Sequence, residues 1–369
     1  MSKRIFLSDI HMGARRPMAG NRHPYDWLNA AEEGQLVDFL SHLCADAAEI
    51  SEVVFVGDIL DNWICPHDEA PPTFTEILSA HPQVVAAVNA LLARGVRLVF
   101  LEGNHDMYLT EAELETVFTP SVNLKYYPEF YLNEGVYAVH GHSFDPFNKR
   151  VTGGPGNYPG LPLGYFMSRI VATKKAVTNS SRRSLVELIE GFIESLSVNN
   201  PLAVAVFDAV LHDANLDENI TFLMPDRTVI TYAEVRNAFA GSPVSASIAD
   251  LRPFAKTLAE NHKAPNGFKD VGLVVCGHTH DALVGLLEPD GYIGDGTANL
   301  PVYANSGTWA GSDDSYKAPT YIEVEPDSGD SKLIFVRRMI WEDGAPHKKG
   351  EESFSLPGGN VIWTTPGPN

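Results

Sequence analysis

The sequence predicts an α/β protein with largely parallel strands, and three observations predict it. Five short runs, RIFLSD, EVVFVGD, VRLVFLEGN and VYAVHGH in the first half and GLVVCGH much later, are nearly all apolar rather than alternating. That pattern marks strands buried on both faces. Helical stretches, AAEEGQLVDFLSHLCADA and PQVVAAVNALLARG, lie between the early runs. Strand–helix–strand alternation is the signature of a parallel sheet with crossover helices.

Taken in order, the second helical stretch carries Pro82 near its start and Gly95 just past its end, the usual asymmetry of helix termini. After VHGHSFD the rhythm breaks. A Gly/Pro loop, GGPGNYPGLPLG, leads into the helical stretches LGYFMSRIVATKKAV, SSRRSLVELIEGFIESL and AVAVFDAVL, with Ser180 or Ser181 as the N-cap of the second. ITFLMPDRTVIT reads as a small hairpin around Pro225-Asp226. Residues 145–271 are therefore expected to form a mainly helical insertion capping a core made of 1–144 and 272–341. Within the returning core, PVYANSG, PTYIEVE and SKLIFVRRMIW read as strands, and residues 342–369 as a polar, Gly/Pro-rich tail.

Composition narrows the class. At 369 residues the chain suits a core plus a substantial insertion. A formal charge of −20, from 27 Lys and Arg against 47 Asp and Glu, leaves no cationic surplus for phosphate backbones, so nucleic acid is not an expected partner. Three scattered cysteines, Cys44, Cys65 and Cys276, suggest no disulfide framework. The opening MSKRIFLSDIH has no signal-peptide core, and the most apolar later stretch, PLAVAVFDAVL, is too short to span a bilayer and is interrupted by Asp208. A cytoplasmic protein is the expectation.

The chemistry collects where the strands end. IFLSDIH delivers Asp9 and His11, VVFVGDILDNW delivers Asp58, and LVFLEGNHD delivers Asn104, His105 and Asp106. YAVHGH delivers His140 and His142, and LVVCGHTH delivers His278 and His280. The carboxyl edge of an open α/β sheet is where ligands bind, and five coincident cases favour one shared metal site over five unrelated turns. In D-x-H, alternate residues of an extended segment point the same way, so Asp9 and His11 can converge on one ion. Gly before Asp58, Asn104, His142 and His278 allows sharp bends and close backbone approach. Carboxylate, imidazole and amide oxygen together suit a borderline or moderately hard divalent metal. Seven candidate ligands exceed one tetrahedral ion and suffice for two.

The ordered blocks DIH, GDILD, GNHD, HGH and GHTH resemble the five motifs of the calcineurin-like metallophosphoesterases, over about the first 145 residues plus about 270–325. The resemblance implies a four-layer α/β/β/α sandwich holding two metals roughly 3.5 Å apart. It implies Asp9, His11 and His280 on one metal, Asn104, His140 and His278 on the other, and Asp58 bridging both. Mn²⁺ leads the expected metals, with Fe, Zn, Ni and Co after it. His105 would be the non-ligand histidine beside the leaving group and Asp106 its orienting partner, so that His105, Asp106 and Asn104 form the catalytic set. YANSGTW resembles the segment that supports the site in these enzymes.

The expected activity is hydrolysis of a phosphodiester or phosphomonoester. Two divalent ions acidify a bridging water, so hydroxide is available near neutral pH to attack phosphorus, and they neutralise charge in the transition state. No P-loop is present. GDILDNW, with Trp63, resembles the UDP-2,3-diacylglucosamine pyrophosphatase branch, whose members also insert helices between the fourth and fifth blocks. That branch carries Arg where His105 stands, and the insertion here is longer. A generic phosphoesterase is therefore expected ahead of the nucleotide-sugar lipid, with small-molecule phosphate or diphosphate substrates and room for peripheral lipid contact. A non-catalytic metal-binding scaffold would lack ligands or His105, and all are present.

Other residues carry milder expectations. His142 reads as a turn histidine with its own hydrogen bond ahead of a residue supporting the site, and Asp61 as either a turn cap or a site contact. Arg15 and Arg16 read as an exposed loop pair, with a substrate phosphate as the alternative. Cys276 reads as a small buried apolar residue. The cap helices are expected to pack on one another rather than to line an acyl pocket, and Arg169, Lys174, Lys175, Arg182 and Arg183 either face solvent or reach a phosphate.

Overall fold

The first strand, β1 (Lys3–Leu7), is followed by α1 (Ala30–Ala45), β2 (Ile50–Val56), α2 (Phe74–Ala80), α3 (Pro82–Ala93) and β3 (Arg97–Leu101). Next come α4 (Glu111–Val117), β4 (Leu124–Tyr127), β5 (Tyr131–Asn133) and β6 (Val136–Ala138). A helical section holds α5 (Leu163–Thr178), α6 (Ala203–Asp213), the hairpin β7 (Thr221–Leu223) and β8 (Val229–Thr231), α7 (Tyr232–Ala238) and α8 (Arg252–Asn261). The chain returns to β9 (Leu273–Cys276), β10 (Leu283–Leu286), β11 (Val302–Asn305), β12 (Thr320–Pro326), β13 (Leu333–Glu342) and β14 (Ala345–Ser355). This computed structural model describes residues 2–16, 27–153, 155, 160–178, 203–242, 250–261, 271–288, 300–310, 318–330 and 332–355. The expected helix over 180–196, with Arg182 and Arg183, lies outside the described residues.

Among the described residues the strands form two large sheets. The larger runs β14-β13-β12-β1-β2-β3-β4, parallel from β1 to β4 and antiparallel from β1 out to β14. The smaller runs β10-β11-β9-β6-β5, with β6, β9 and β11 parallel. Alternation of side chains explains the all-apolar strands. Phe6, Val54, Val56, Val99 and Leu101 of the larger sheet share one core with Ala138, Leu273, Val275, Val302 and Ala304 of the smaller. Their neighbours Ile5, Leu7, Val53, Phe55, Leu98 and Phe100 face the other way, against Leu36, Phe39 and Leu40 of α1 and Val84, Val88 and Leu91 of α3. On the far face of the smaller sheet, Val274, Cys276 and Tyr303 pack on Ala255 and Leu258 of α8.

Short helices missed by periodicity are held by capping boxes. Thr73 with Glu76 starts α2, Thr110 with Glu113 starts α4 and Thr231 with Glu234 starts α7, each threonine accepting from the third residue's N–H. Asn29 with Glu32 does the same for α1. The predicted hairpin forms, with Thr221 opposite Thr231. The tail departs from expectation. Ala345–Ser355 is a strand hydrogen-bonded along the whole of β13, even though the segment is polar and mostly exposed. Residues 356–369 lie outside the described set.

Among the described residues, α5 and α6 pack on one another. Phe166, Ile170, Val206, Phe207 and Val210 form a buried cluster with Phe222 and Ile230 of the hairpin, and the cluster takes in Trp63 and Met107 of the core. Arg169 faces neither solvent nor a phosphate. Fully buried, it donates to Leu223 O at 2.9 Å, Pro66 O at 2.8 Å, His67 O at 3.1 Å, Glu69 O and the Tyr165 hydroxyl at 3.2 Å, tying α5 to the loop after β2. Lys174 pairs with Asp213, and Lys175 is buried. Arg169→Met should lower stability by about 2–4 kcal/mol, since it strands several buried carbonyls at once. Urea denaturation measures this, and a loss below ~0.5 kcal/mol would show the clamp to be dispensable.

Candidate metal centre

The ends of β1, β2 and β3 in one sheet and of β6 and β9 in the other open on the same place, so residues up to 271 positions apart meet. Asp9, His11 and His280 bring one ligand atom each to within 4.8 Å of one another, and Asp58, His140 and His278 do the same. His280 Nε2 lies 3.2 Å from Asp9 Oδ1 and 3.2 Å from His11 Nε2. Asp58 Oδ2 stands between the groups, 3.1 Å from His140 Nε2 and 3.9 Å from His11 Nε2. Asn104 Oδ1 is 3.2 Å from His140 Nε2. All seven expected ligands are therefore brought together, all buried except His280, which is partly exposed.

The local backbone differs from an extended D-x-H. β1 stops at Leu7, and Asp9, His11, Asp58, His278 and His280 all take left-handed φ angles, between 52° and 69°. Non-glycine residues persist there only where the surroundings over-determine them. Asp9 is fixed by its own neighbours: Gly57 O accepts its N–H at 3.1 Å, and Trp309 N and Thr308 Oγ1 donate to its carbonyl at 3.1 and 2.9 Å. His278 N donates to both Asp9 carboxylate oxygens, at 3.2 and 3.0 Å. Glycine is needed at 103, where a Cβ would fall 2.1 Å from Asp58 Oδ1, and at 57, where it would meet the His140 ring at 2.7 Å with φ at 83°. The YANSGTW segment braces this edge, Asn305 Nδ2 donating to Gly277 O at 2.8 Å and Ser306 Oγ lying 2.6 Å from Ser8 Oγ.

The donor set fits divalent cations. His11 Nδ1 donates to Asp61 Oδ2 at 3.0 Å and His140 Nδ1 donates to Val56 O at 2.8 Å, so each ring, when neutral, turns a bare Nε2 lone pair inward. At His140 that lone pair converges with Asp58 Oδ2 and Asn104 Oδ1, three acceptors that only a proton or a cation reconciles. The electrostatics agree. Burial disfavours a charged His140, but Asp58 and Asp9 outweigh it and push the imidazole up to about 10. Asp58 in turn, though burial opposes its charge, is held well below the usual carboxylate range by His140 and His105.

Asp61 fills both places open to it, turn cap and site contact, and takes the one expected of Asp106. The carboxylate beside His105 is Asp61, whose Oδ2 lies 2.8 Å from His105 Nδ1, an ion-pair contact with the ring off the hydrogen-bond line. Burial disfavours the charged imidazole, yet Asp61 and Asp58 raise its pKa above the ordinary histidine value. Asp61 Oδ1 also caps the turn, accepting from Trp63 N at 3.0 Å and Ile64 N at 3.1 Å. Asp106 instead accepts backbone N–H groups, Gly103 N at 2.6 Å and Ile59 N at 2.9 Å, and so pins together the loops after β2 and β3. Burial and the nearby Asp58 charge push its carboxyl up to about 7.

The remaining candidates sort by contact. His142 is buried 5.5 Å from the His140 ring, and its Nδ1 finds no hydrogen-bond partner among the described residues, contrary to the expected turn hydrogen bond. Arg15 pairs with Glu33 and Arg16 with Glu76, each also donating to a backbone carbonyl, so both are engaged. Cys276 is fully buried in the smaller sheet, with burial raising its thiol pKa. Two residues escaped the sequence reading. Trp27 packs 4.8 Å from the His11 ring, and Asp145 Oδ2 lies 3.0 Å from His278 Nε2.

The calcineurin-like phosphoesterase family model matches residues 2–175, and the GHTH block lies beyond that match. A UDP-2,3-diacylglucosamine hydrolase of Aeromonas hydrophila subsp. hydrophila is 34% identical over 108 residues, 29% of this chain and 35% of that protein. Its namesake in Porphyromonas gingivalis is 30% identical over 113 residues, 30% of this chain and 35% of that protein. The chain thus matches about a third of the length of these relatives. Among solved structures, a dimetal phosphatase from Danio rerio aligns with a TM-score of 0.38 at 11% identity, covering 96% of this chain and 99% of that one. Residues 2–175, which hold four of the five ligand-bearing strand ends, are thus similar to the calcineurin-like phosphoesterase family.

Proposed function

We propose that this protein is a dinuclear-metal-dependent hydrolase of phosphate esters, with Asp9, His11 and His280 holding one divalent ion and Asn104, His140 and His278 the other. Asp58 bridges them. The observation that carries the reading is the placing of Asp58 Oδ2 between His140 Nε2 at 3.1 Å and His11 Nε2 at 3.9 Å, with Asp9 and His280 grouped about His11 and His278 grouped with His140. Bound divalent ions would supply Lewis-acid neutralisation of phosphoryl charge and an acidified water, with Mn²⁺ first among the candidates.

The chain's own groups do the rest. His105, whose pKa Asp61 and Asp58 raise against burial, donates a proton to the departing oxygen or hydrogen-bonds the equatorial phosphoryl oxygens. Its ring lies 4.6 Å from Trp63 and 4.7 Å from His11, which fixes where that proton is offered. Trp63, in turn, packs into the helical section. We assign the core to 1–144 and 272–355 and the cap to 145–271, extending the core by the strand at its end.

No helix among the described residues is long and apolar enough to cross a membrane. A second reading, hydrolysis of a nucleotide-sugar lipid diphosphate, is favoured by the names of the two relatives. A substrate panel on Mn²⁺-loaded protein separates the two: bis-p-nitrophenyl phosphate and its monoester, cyclic nucleotides, nucleotide-sugar diphosphates and phospholipids. Turnover of simple esters is the expected result, and activity confined to the diphosphates would establish the second reading. Failure on every substrate by protein carrying two ions would overturn both.

A further inference from the structure

We infer that Asp145 is a positioning residue, which fixes His278 as its Nε2–H tautomer so that Nδ1 is the nitrogen presented to Asp58 and His140. The inference rests on the dinuclear reading for its consequence, though not for its geometry. A single 3₁₀ turn, His142–Phe144, follows the HGH block and folds Asp145 back over the smaller sheet's edge. There the buried carboxylate is held from three sides. Oδ1 accepts Phe147 N at 2.8 Å, while Oδ2 accepts both Asn148 Nδ2 and His278 Nε2, the latter at 3.0 Å. Every group facing Oδ2 is a donor, so the proton on His278 belongs on Nε2.

His278 has no freedom left. Its backbone N–H is committed to Asp9 and its Nε2 to Asp145, which leaves the Nδ1 lone pair for the pocket it shares with Asp58 and His140. The arrangement mirrors the other two buried histidines of the centre, His11 anchored by Asp61 and His140 by Val56 O. A carboxylate behind a ligating imidazole sets its tautomer, orients its ring and raises its basicity. Asp145 differs from Asp61 in origin, because it opens the segment that leads into the cap. Asn148, its neighbour, sits against the start of α5, where a Cβ on Gly164 would meet Asn148 Oδ1 at 2.2 Å. Seating of α5 and orientation of one ligand of one ion are thereby coupled.

Asp145→Asn is the discriminating change. An asparagine can keep Oδ1 for Phe147 N, but its amide then faces His278 Nε2 with a donor. His278 must respond by accepting there and carrying its proton on Nδ1, into the pocket, where it can no longer ligate. The same replacement behind a catalytic histidine is known to trap the wrong tautomer without disturbing the fold.

Two measurements test this. In metal-free protein with ¹⁵N-labelled histidine, long-range ¹H–¹⁵N spectra, assigned with His278→Gln, should show His278 as the Nε2–H tautomer in the wild type and as Nδ1–H in Asp145→Asn. Calorimetric titration with Mn²⁺ alone should then show one of two binding steps weakened by about 10–100-fold in Asp145→Asn and the other unchanged. Asn148→Ala, which leaves the carboxylate in place, should keep the wild-type tautomer and both affinities.

An Nδ1–H tautomer in the wild type, or Asp145→Asn changing neither readout, would overturn the assignment. So would Asn148→Ala reproducing the full loss, since that would mean collapse of the loop rather than a tautomer. A wild type that binds fewer than two Mn²⁺ defeats the dinuclear reading, and the tautomer spectra still decide the role of Asp145.

Discussion

Asp58→Asn should lower kcat for phosphate ester hydrolysis by about 10³-fold or more, well beyond the ~10–100-fold expected for a residue standing behind a ligand. The substitution is nearly isosteric and keeps one acceptor, so the 2.8 Å hydrogen bond from His105 N to Oδ1 can persist and the fold with it. What changes is Oδ2. An amide there presents hydrogen atoms toward His140 Nε2 and His11 Nε2, the lone pairs that face the centre. It also removes the charge whose attraction overcomes burial and keeps His140 cationic in the ion-free centre. Metal analysis alongside kinetics should find fewer than two ions per chain. A variant with two ions and wild-type turnover would show that Asp58 bridges nothing.

His105→Ala is expected to cost about 10²–10³-fold in kcat, with a dependence on leaving group that a merely structural defect would not give. An alkoxide leaving group needs its proton and should show the full loss; p-nitrophenolate leaves unaided and should show less. The pH profile carries the same information. His105 acts as an acid, and Asp61 and Asp58 raise its pKa against the effect of burial. Activity on an alkyl ester should therefore hold through the ordinary histidine range and fall as pH rises through the elevated value. In the alanine variant that alkaline limb should be missing. Equal losses on both esters with an unaltered limb would reduce His105 to a packing residue against Trp63.

Much of the centre was legible because ligand chemistry is written in residue types. Aspartate, asparagine and histidine at the ends of apolar strands have few other reasons to recur, and the structure gathers all seven. The T-x-x-E capping boxes at Thr73 and at Thr110 mark α2 and α4, helices too short for apolar periodicity to register, and went unread. Asp61 and Asp106 were not separable in sequence. Both follow a strand and both are acidic; only the path of the loops puts Asp61 against His105 and turns Asp106 onto the backbone of Gly103 and Ile59. The polar β14 gave no apolar signal, since its strand character comes from pairing with β13 rather than from its own side chains.

By itself the sequence determined which atoms can bind a cation and that strands would carry them, because apolar runs and donor types are local properties. Tertiary structure decided how they are shared out. The two sheets share one core, with His140 and His278 arriving from the smaller and Asp9, Asp58 and Asn104 from the larger. It also decided which carboxylate stands behind which imidazole, since the hydrogen bond between Asp145 and His278, 133 residues apart, depends on β6 and β9 lying side by side. Packing across such distances leaves no mark on neighbouring residues, so no reading along the chain reveals it.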